Sequence, residues 1–256
     1  MLVDVHCHLQ YPEFDNDREE VIKRAKQGGV VAIITSGTDH ENNVKALELA
    51  KKHSIVKASI GLYPDDIVAL PDKVIKNEFE FIASHKDEVI AIGEIGLDYK
   101  NTPEKEQRGK QRKYFMDLLE LSEKLRKPVV LHTRKAEADV VELLKSTTLR
   151  DVIFHCFTGN YKLVKRIAEN GWCFSIPPII VRSLHFQGLI NMVPITQILT
   201  ETDAPYLAPF PKQRNEPVFV ARTIEKIAEI KNITPKEVEK NIFANYQRVF
   251  LKNSRR

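Results

Sequence analysis

The sequence predicts an α/β protein built as a single (β/α)8 barrel over residues 1–256, and three observations predict it. Short apolar runs of strand length recur along the chain. Amphipathic stretches with apolar residues at three- and four-residue steps separate them. Several of the runs end in residues that ligate metals, and a parallel sheet whose strands all end on one side gathers such residues at one rim.

The β-like runs cover residues 1–6, 30–36, 56–61, 89–94, 128–132, 151–156, 172–176 and 195–200, which makes eight. Helical patterns fall between them at residues 17–27, 41–53, 73–85, 104–126, 136–145 and 162–170, and two more at 218–231 and 235–252 are placed to close the barrel. Strict alternation of the two patterns implies a parallel sheet. Asn16 followed three residues on by Glu19 has the form of a capping box, and Gly28-Gly29 suits a helix stop.

A chain of 256 residues without a Gly/Ser- or Pro-rich linker fits one domain, and 43% hydrophobic content supplies it with a full core. The net charge of +4 is too small for a protein held on nucleic acid mainly by charge, yet it accommodates an anionic substrate. Cys7, Cys156 and Cys173 leave an odd number without paired zinc-finger spacing, so a reducing cytoplasm is expected and a disulfide framework is not. No apolar stretch approaches the roughly 18 residues of a spanning helix, and no signal-peptide pattern opens the chain. Neither a membrane nor an obligate protein partner is called for, and only residues 253–256 read as a tail.

The ligand-type residues close four runs, Val3-Asp4-Val5-His6-Cys7-His8, Val89-Ile90-Ala91-Ile92-Gly93-Glu94, Pro128-Val129-Val130-Leu131-His132 and Asp151-Val152-Ile153-Phe154-His155. Residues two apart on a strand share a face, so His6 and His8 can chelate one ion while Cys7 points away. Glu94 lies among Gly93, Gly96 and apolar neighbours, where its two oxygens could bridge two ions. The fifth run, Ile195 to Leu199, continues into Thr200-Glu201-Thr202-Asp203. Asp203, nearer the rim and just before Ala204-Pro205, is the candidate ligand and proton acceptor, and Glu201 is deeper and structural. A lone strand-end histidine or glutamate is more often a satisfied structural residue. Four histidines and two acids converging on one rim form a different class of evidence, that of a metallohydrolase. His40, His53, His85 and His185 read as surface or packing residues.

These motifs identify a family resemblance over nearly the whole chain. Asp4-Val5-His6-Cys7-His8-Leu9, Gly93-Glu94-Ile95-Gly96-Leu97-Asp98-Tyr99, Leu131-His132-Thr133-Arg134, His155-Cys156-Phe157-Thr158-Gly159, Glu201-Thr202-Asp203-Ala204-Pro205-Tyr206-Leu207 and Arg214-Asn215-Glu216-Pro217 resemble, in order, the TatD family of metal-dependent deoxyribonucleases, which are amidohydrolase-like TIM barrels. The resemblance implies one divalent ion on His6, His8, Glu94 and Asp203 and a second on Glu94, His132 and His155. Mixed imidazole and carboxylate donors suit Zn, Mn or Mg. Such a pair activates water and stabilises both oxygens of a phosphodiester displacement. Catalysis is then expected to rest on Glu94 and Asp203.

The chain departs from the family's pattern after the third strand. Gly61-Leu62-Tyr63-Pro64-Asp65-Asp66 has Tyr63 where such proteins usually carry histidine. A tyrosine donates a hydrogen bond to phosphate but cannot shuttle a proton near neutral pH. The segment Ile176-Pro177-Pro178-Ile179-Ile180 also replaces a Gly-containing loop. For substrate contacts, Arg134 lies two residues beyond His132 and faces the same mouth, and Lys212 and Arg214 belong to a rim loop suited to a nucleic-acid backbone. The charge run from Lys105 to Lys113 reads as a solvated helix face, and Trp172 as core. The expected activity is cleavage of DNA at single-stranded ends, with RNA as a further substrate. The rival readings are a hydrolase of small amides, esters or phosphoesters on the same barrel, and a non-catalytic nucleic-acid-binding or scaffold protein.

Overall fold

A computed structural model describes residues 1–251. Its sheet comprises β1 (Leu2–Cys7), β2 (Val30–Ser36), β3 (Val56–Ile60), β4 (Val89–Gly96), β5 (Val129–His132), β6 (Val152–His155), β7 (Cys173–Ile176) and β8 (Ile198–Thr200), paired in chain order and all parallel. The strands carry continuous apolar runs because one face fills the barrel interior and the other lies under helices. All six residues of β1 and all four of β6 and β7 are buried accordingly.

The ends of the ladder, β1 and β8, meet at a seam built from side chains and loop backbone. Thr200 Oγ1 donates to the Val3 carbonyl at 2.6 Å, and the Thr202 amide donates to buried Asp4 Oδ1 at 2.9 Å. Above these, the Asp203 amide reaches the His6 carbonyl at 2.9 Å and the His8 amide reaches the Ala204 carbonyl at 2.8 Å. The seam thus brings the two ends of the sequence-distant His6, His8 and Asp203 set into register.

Around the sheet lie α1 (Arg18–Gln27), α2 (His40–Lys52), α3 (Pro64–Ala69), α4 (Asp72–Ser84), α5 (Lys105–Leu125), α6 (Glu137–Leu144), α7 (Tyr161–Glu169), α8 (Leu184–Met192), α9 (Val220–Lys231) and α10 (Pro235–Tyr246). The last two pack against β1 and β8, the place expected for them. The helices α3 and α8 are additions to the sequence reading. With six residues, α3 is too short to show a period, and Gly188 interrupts the helical propensity of α8.

Four local expectations are corrected. The N-cap of α1 is Asp17 and makes no side-chain cap bond, because Arg214 takes both its carboxylate oxygens at 2.8 and 2.6 Å, so Asn16 and Glu19 form no capping box. Residues Ile195–Gln197 form a 3-10 turn after Pro194, which shortens β8 to its last three residues. The final helix ends at Tyr246 and passes into a π turn at Gln247–Leu251; Lys252 and the expected tail at 253–256 lie outside the described residues. The basic run on α5 is also less solvated than expected, since Lys110 Nζ donates to the Leu70 carbonyl at 2.6 Å and the Arg108 guanidinium lies 4.7 Å from the centre of the Tyr99 ring. Trp172 is buried against Phe154, as core.

Candidate metal centre

Glu94 stands where the six ligand-type residues meet. Its Oε1 lies 2.8 Å from His132 Nδ1 and 3.0 Å from His155 Nε2. Its Oε2 lies 3.4 Å from His6 Nε2 and 3.7 Å from His8 Nε2. Asp203 Oδ1 completes the second side, 3.5 Å from His6 Nε2 and 3.3 Å from His8 Nε2. One carboxylate therefore presents one oxygen to each of two donor sets, and both His6–His8–Asp203 and His6–Glu94–His155 are tight enough to hold an ion.

Local backbone makes this convergence. His8 is the first residue past β1, His132 and His155 end their strands, and β4 runs on to Gly96, carrying Glu94 to the same height. Gly96 has φ +150°, and a Cβ there would collide with the His132 backbone, so the absence of a side chain lets β4 and β5 approach at the site. Asp203 has φ +56° in the loop after β8, a conformation that aims its carboxylate back toward β1.

Three of the four imidazoles, those of His6, His8 and His132, are hydrogen-bonded from behind. His8 Nδ1 lies 2.9 Å from the Ser36 carbonyl and donates to it, which leaves the Nε2 lone pair facing the centre. His6 Nδ1 is 3.1 Å from Ser36 Oγ. His132 Nε2 is 2.9 Å from Asp98 Oδ2, which turns Nδ1 toward Glu94. Behind His155 stands Glu201, with Oε2 3.8 Å from Nδ1, and Glu201 is itself fixed by the Cys156 amide at 2.9 Å and by the Ser175 hydroxyl. Outer partners of this kind set the tautomer and basicity of metal-binding histidines. Glu201 was legible as structural; Ser36 and the specific role of Asp98 were not, because pairing across strands carries no sequence signal.

The electrostatics ask for cations. Burial opposes charge on Glu94, yet His155, His132 and His6 hold its carboxyl well below the usual range. Burial likewise opposes charge on Asp203, but the neighbouring imidazoles of His6 and His8 keep it ionised far into acid. His6 is pushed the other way: burial and His155 disfavour its protonation, Asp203 and Glu94 outweigh them, and its pKa rises to about 9. Asp98 and Glu94 raise His132, and Glu94 and Glu201 raise His155, against their burial. Among the described residues, buried His6 Nε2 has no hydrogen-bond partner although two carboxylates flank it. An unpaired buried nitrogen is costly, and a bound cation is what this donor set would satisfy it with.

The centre floors a cleft of about 660 Å³ lined by Tyr63, Asp66, Arg134, Thr158 and Tyr206. Arg134 is exposed there with no ion pair among the described residues. Tyr63 lines the cleft, but its hydroxyl donates to Asp98 Oδ2 at 3.1 Å and stands 3.1 Å from His132 Nε2, so that proton is already engaged within the protein. Arg214 is not brought to the cleft. Its guanidinium grips Asp17, donates to the Glu13 carbonyl at 2.6 Å and covers the Phe14 ring at 4.6 Å, so it is a structural residue. Lys212 sits exposed on a turn with φ +61°, also away from the cleft lining.

Residues 3–251 match the family described as TatD related DNase. The chain belongs to that family. It is 38% identical to an uncharacterized metal-dependent hydrolase of Methanocaldococcus jannaschii over 97% of this chain and 96% of that one. It is 32% identical to a protein of Cronobacter sakazakii named 3′-5′ ssDNA/RNA exonuclease TatD, over 99% of both. Among solved structures, the TatD homologue YjjV of Escherichia coli K12 superposes with a TM-score of 0.90 at 28% identity, covering 98% of each chain. As a TatD-family member the chain is a metal-dependent hydrolase on a TIM barrel. Among the described residues no helix is long and apolar enough to cross a membrane.

Proposed function

We propose that the chain is a two-metal hydrolase that removes nucleotides from single-stranded DNA ends, with RNA as a further substrate, in the 3′-to-5′ direction that the name of its Cronobacter relative states. The observation that carries the reading is the division of Glu94, one oxygen toward His132 and His155 and the other toward His6 and His8. His6, His8, Glu94 and Asp203 would hold one divalent ion of the Zn, Mn or Mg type, and Glu94, His132 and His155 a second. Such ions would lower the pKa of the attacking water and offset the charge on the attacking and leaving oxygens of a phosphodiester.

The chain's own groups supply the rest. Asp203 stays ionised beside the imidazoles of His6 and His8 and is the proton acceptor for the attacking water. Arg134, unpaired at the mouth, grips a non-bridging phosphate oxygen pair and orients the diester. Asp98 and Ser36 keep the imidazoles of His132, His6 and His8 aimed, so this part of the donor set is formed before substrate arrives.

A single-stranded oligonucleotide labelled at either end, incubated with Zn, Mn or Mg and with chelator, tests the reading. Metal-dependent, chelator-sensitive shortening from the 3′ end is expected. A metal-loaded protein that leaves every oligonucleotide intact while hydrolysing a small ester would overturn it.

A further inference from the structure

Eight large hydrophobic side chains are well exposed among the described residues, and of these Tyr206 alone lines the cleft, with half of its surface open to solvent. Its position is tightly determined. The Tyr206 amide donates to the Asp203 carbonyl at 2.9 Å, and fully buried Asn215 ties its carbonyl at 2.6 Å to the same amide group that holds the Thr202 carbonyl at 2.7 Å. The backbone that carries the ring is therefore tied to Asp203, three residues away in the centre.

The ring is also braced from one side. Tyr11 stacks on His8 with centroids 4.6 Å apart and planes 12° from parallel, and Tyr206 meets Tyr11 edge to face at 6.4 Å and 72°. Tyr11 is in turn near Thr38, with the hydroxyls 3.4 Å apart. A wall of three rings thus climbs from a metal-site histidine to the mouth and ends in Tyr206, half of whose surface is open to solvent. A rigid exposed aromatic at a polar mouth favours a flat, partly apolar ligand, and nucleobases stack on such rings without regard to identity because every base has a π-face.

We propose that Tyr206, buttressed by Tyr11, is the stacking platform for the base of the nucleotide at the centre, so that the enzyme selects strand ends bearing a base without reading its sequence. The proposal rests on the nucleic-acid reading of the cleft. Arg134 then takes the phosphate and Tyr206 the base, two contacts that together fix the terminal nucleotide against the metal side of the cleft. Tyrosine at this position supplies the π-face, and its hydroxyl is dispensable.

The test compares kcat/KM on an oligonucleotide ending in deoxyadenosine with the same strand ending in a tetrahydrofuran abasic residue, in the metal-loaded enzyme. Stacking of one base predicts a preference of roughly 5- to 100-fold for the base-bearing end, expressed mainly in KM. The preference should fall to near unity in Tyr206→Ala and persist in Tyr206→Phe. An undiminished preference in Tyr206→Ala overturns the proposal, as does its loss in Tyr206→Phe. A second readout is independent of cleavage: deoxyadenosine 5′-monophosphate should bind more tightly than deoxyribose 5-phosphate, and Tyr206→Ala should erase the difference. Equal binding of the two by the parent protein removes the platform even where DNA is cleaved. A Tyr206-dependent difference in a protein that cleaves no oligonucleotide supports the platform and removes the nuclease reading instead.

Discussion

Asp98 and His132 are joined at 2.9 Å, Oδ2 to Nε2, and the opposite nitrogen of the same ring lies 2.8 Å from Glu94. The carboxylate–imidazole–carboxylate line means that the ring's orientation is set from outside the centre. Tyr63 joins the line by donating to the same Asp98 oxygen at 3.1 Å, so its hydroxyl belongs to the frame of His132.

Asp98→Asn should therefore weaken metal binding about 10- to 100-fold, as loss of an outer-shell partner does elsewhere. Calorimetric titration of the metal-free protein with Zn or Mn measures this. Unchanged affinity would show that His132 needs no partner to point at the centre.

Glu94→Ala should abolish turnover and lower metal content, because it removes an oxygen from each donor set at once. Circular dichroism should show the barrel still folded, since the seam and the sheet do not depend on this side chain. Near-normal cleavage with two bound metals would sink the shared-carboxylate assignment.

Arg134→Ala should reduce kcat/KM on oligonucleotides by about 10- to 100-fold, the loss of a charge-assisted contact worth about 1.5–3 kcal/mol. Its guanidinium touches no ligand-type residue, so metal content should hold. A variant that loses metal instead would make Arg134 part of the frame.

Arg214→Ala should behave in the opposite way. The paired bonds to Asp17 and the stacking on Phe14 make it a clasp between α1 and the loop after β8, so a loss of about 1–2 kcal/mol and a fall in Tm of roughly 2–8 °C are expected. The salt dependence of oligonucleotide binding should stay as it is, because no phosphate contact is removed. A flatter log-log salt slope would return Arg214 to the substrate surface.

Asp66, on the cleft rim, has its pKa raised from 3.8 to about 6, chiefly by burial, with Asp39 and Asp65 adding repulsion. The folded state therefore holds this proton more tightly than the unfolded chain. The resulting stability is fully present below pH 3.8, is lost as pH rises through about 6, and leaves a cost at neutral pH. Asp66→Asn should raise stability at pH 7–8 by about 1–2 kcal/mol, the full linkage value being reduced by partial solvent contact, and the gain should vanish near pH 4. Thermal melts of both proteins across this range check the sign; a gain that grows toward acid would refute it.

The sequence by itself determined the barrel and the identities of the converging donors. Periods of two and 3.6 are local properties, and His6, Glu94, His132 and His155 lie at or near the ends of four apolar runs, so the order of these residues along the rim follows from the chain alone. Short or irregular elements escaped for the same reason: α3 holds too few residues to show a period, and the turn at Ile195–Gln197 follows an apolar pattern that a strand would share.

Contacts made across the fold were decided only by tertiary structure. Arg134 and Arg214 are alike in sequence, both cations near the ends of conspicuous motifs. One is left open in the cleft, and the other meets Asp17, nearly two hundred positions away, and is neutralised there. Which nitrogen of His8 and of His132 faces the centre depends on Ser36 and Asp98, residues of a neighbouring strand and loop, and Tyr11 meets Tyr206 because the loops after β1 and β8 come together. Strand position is encoded in local hydrophobic pattern, whereas partner choice depends on distances that only the closed barrel sets.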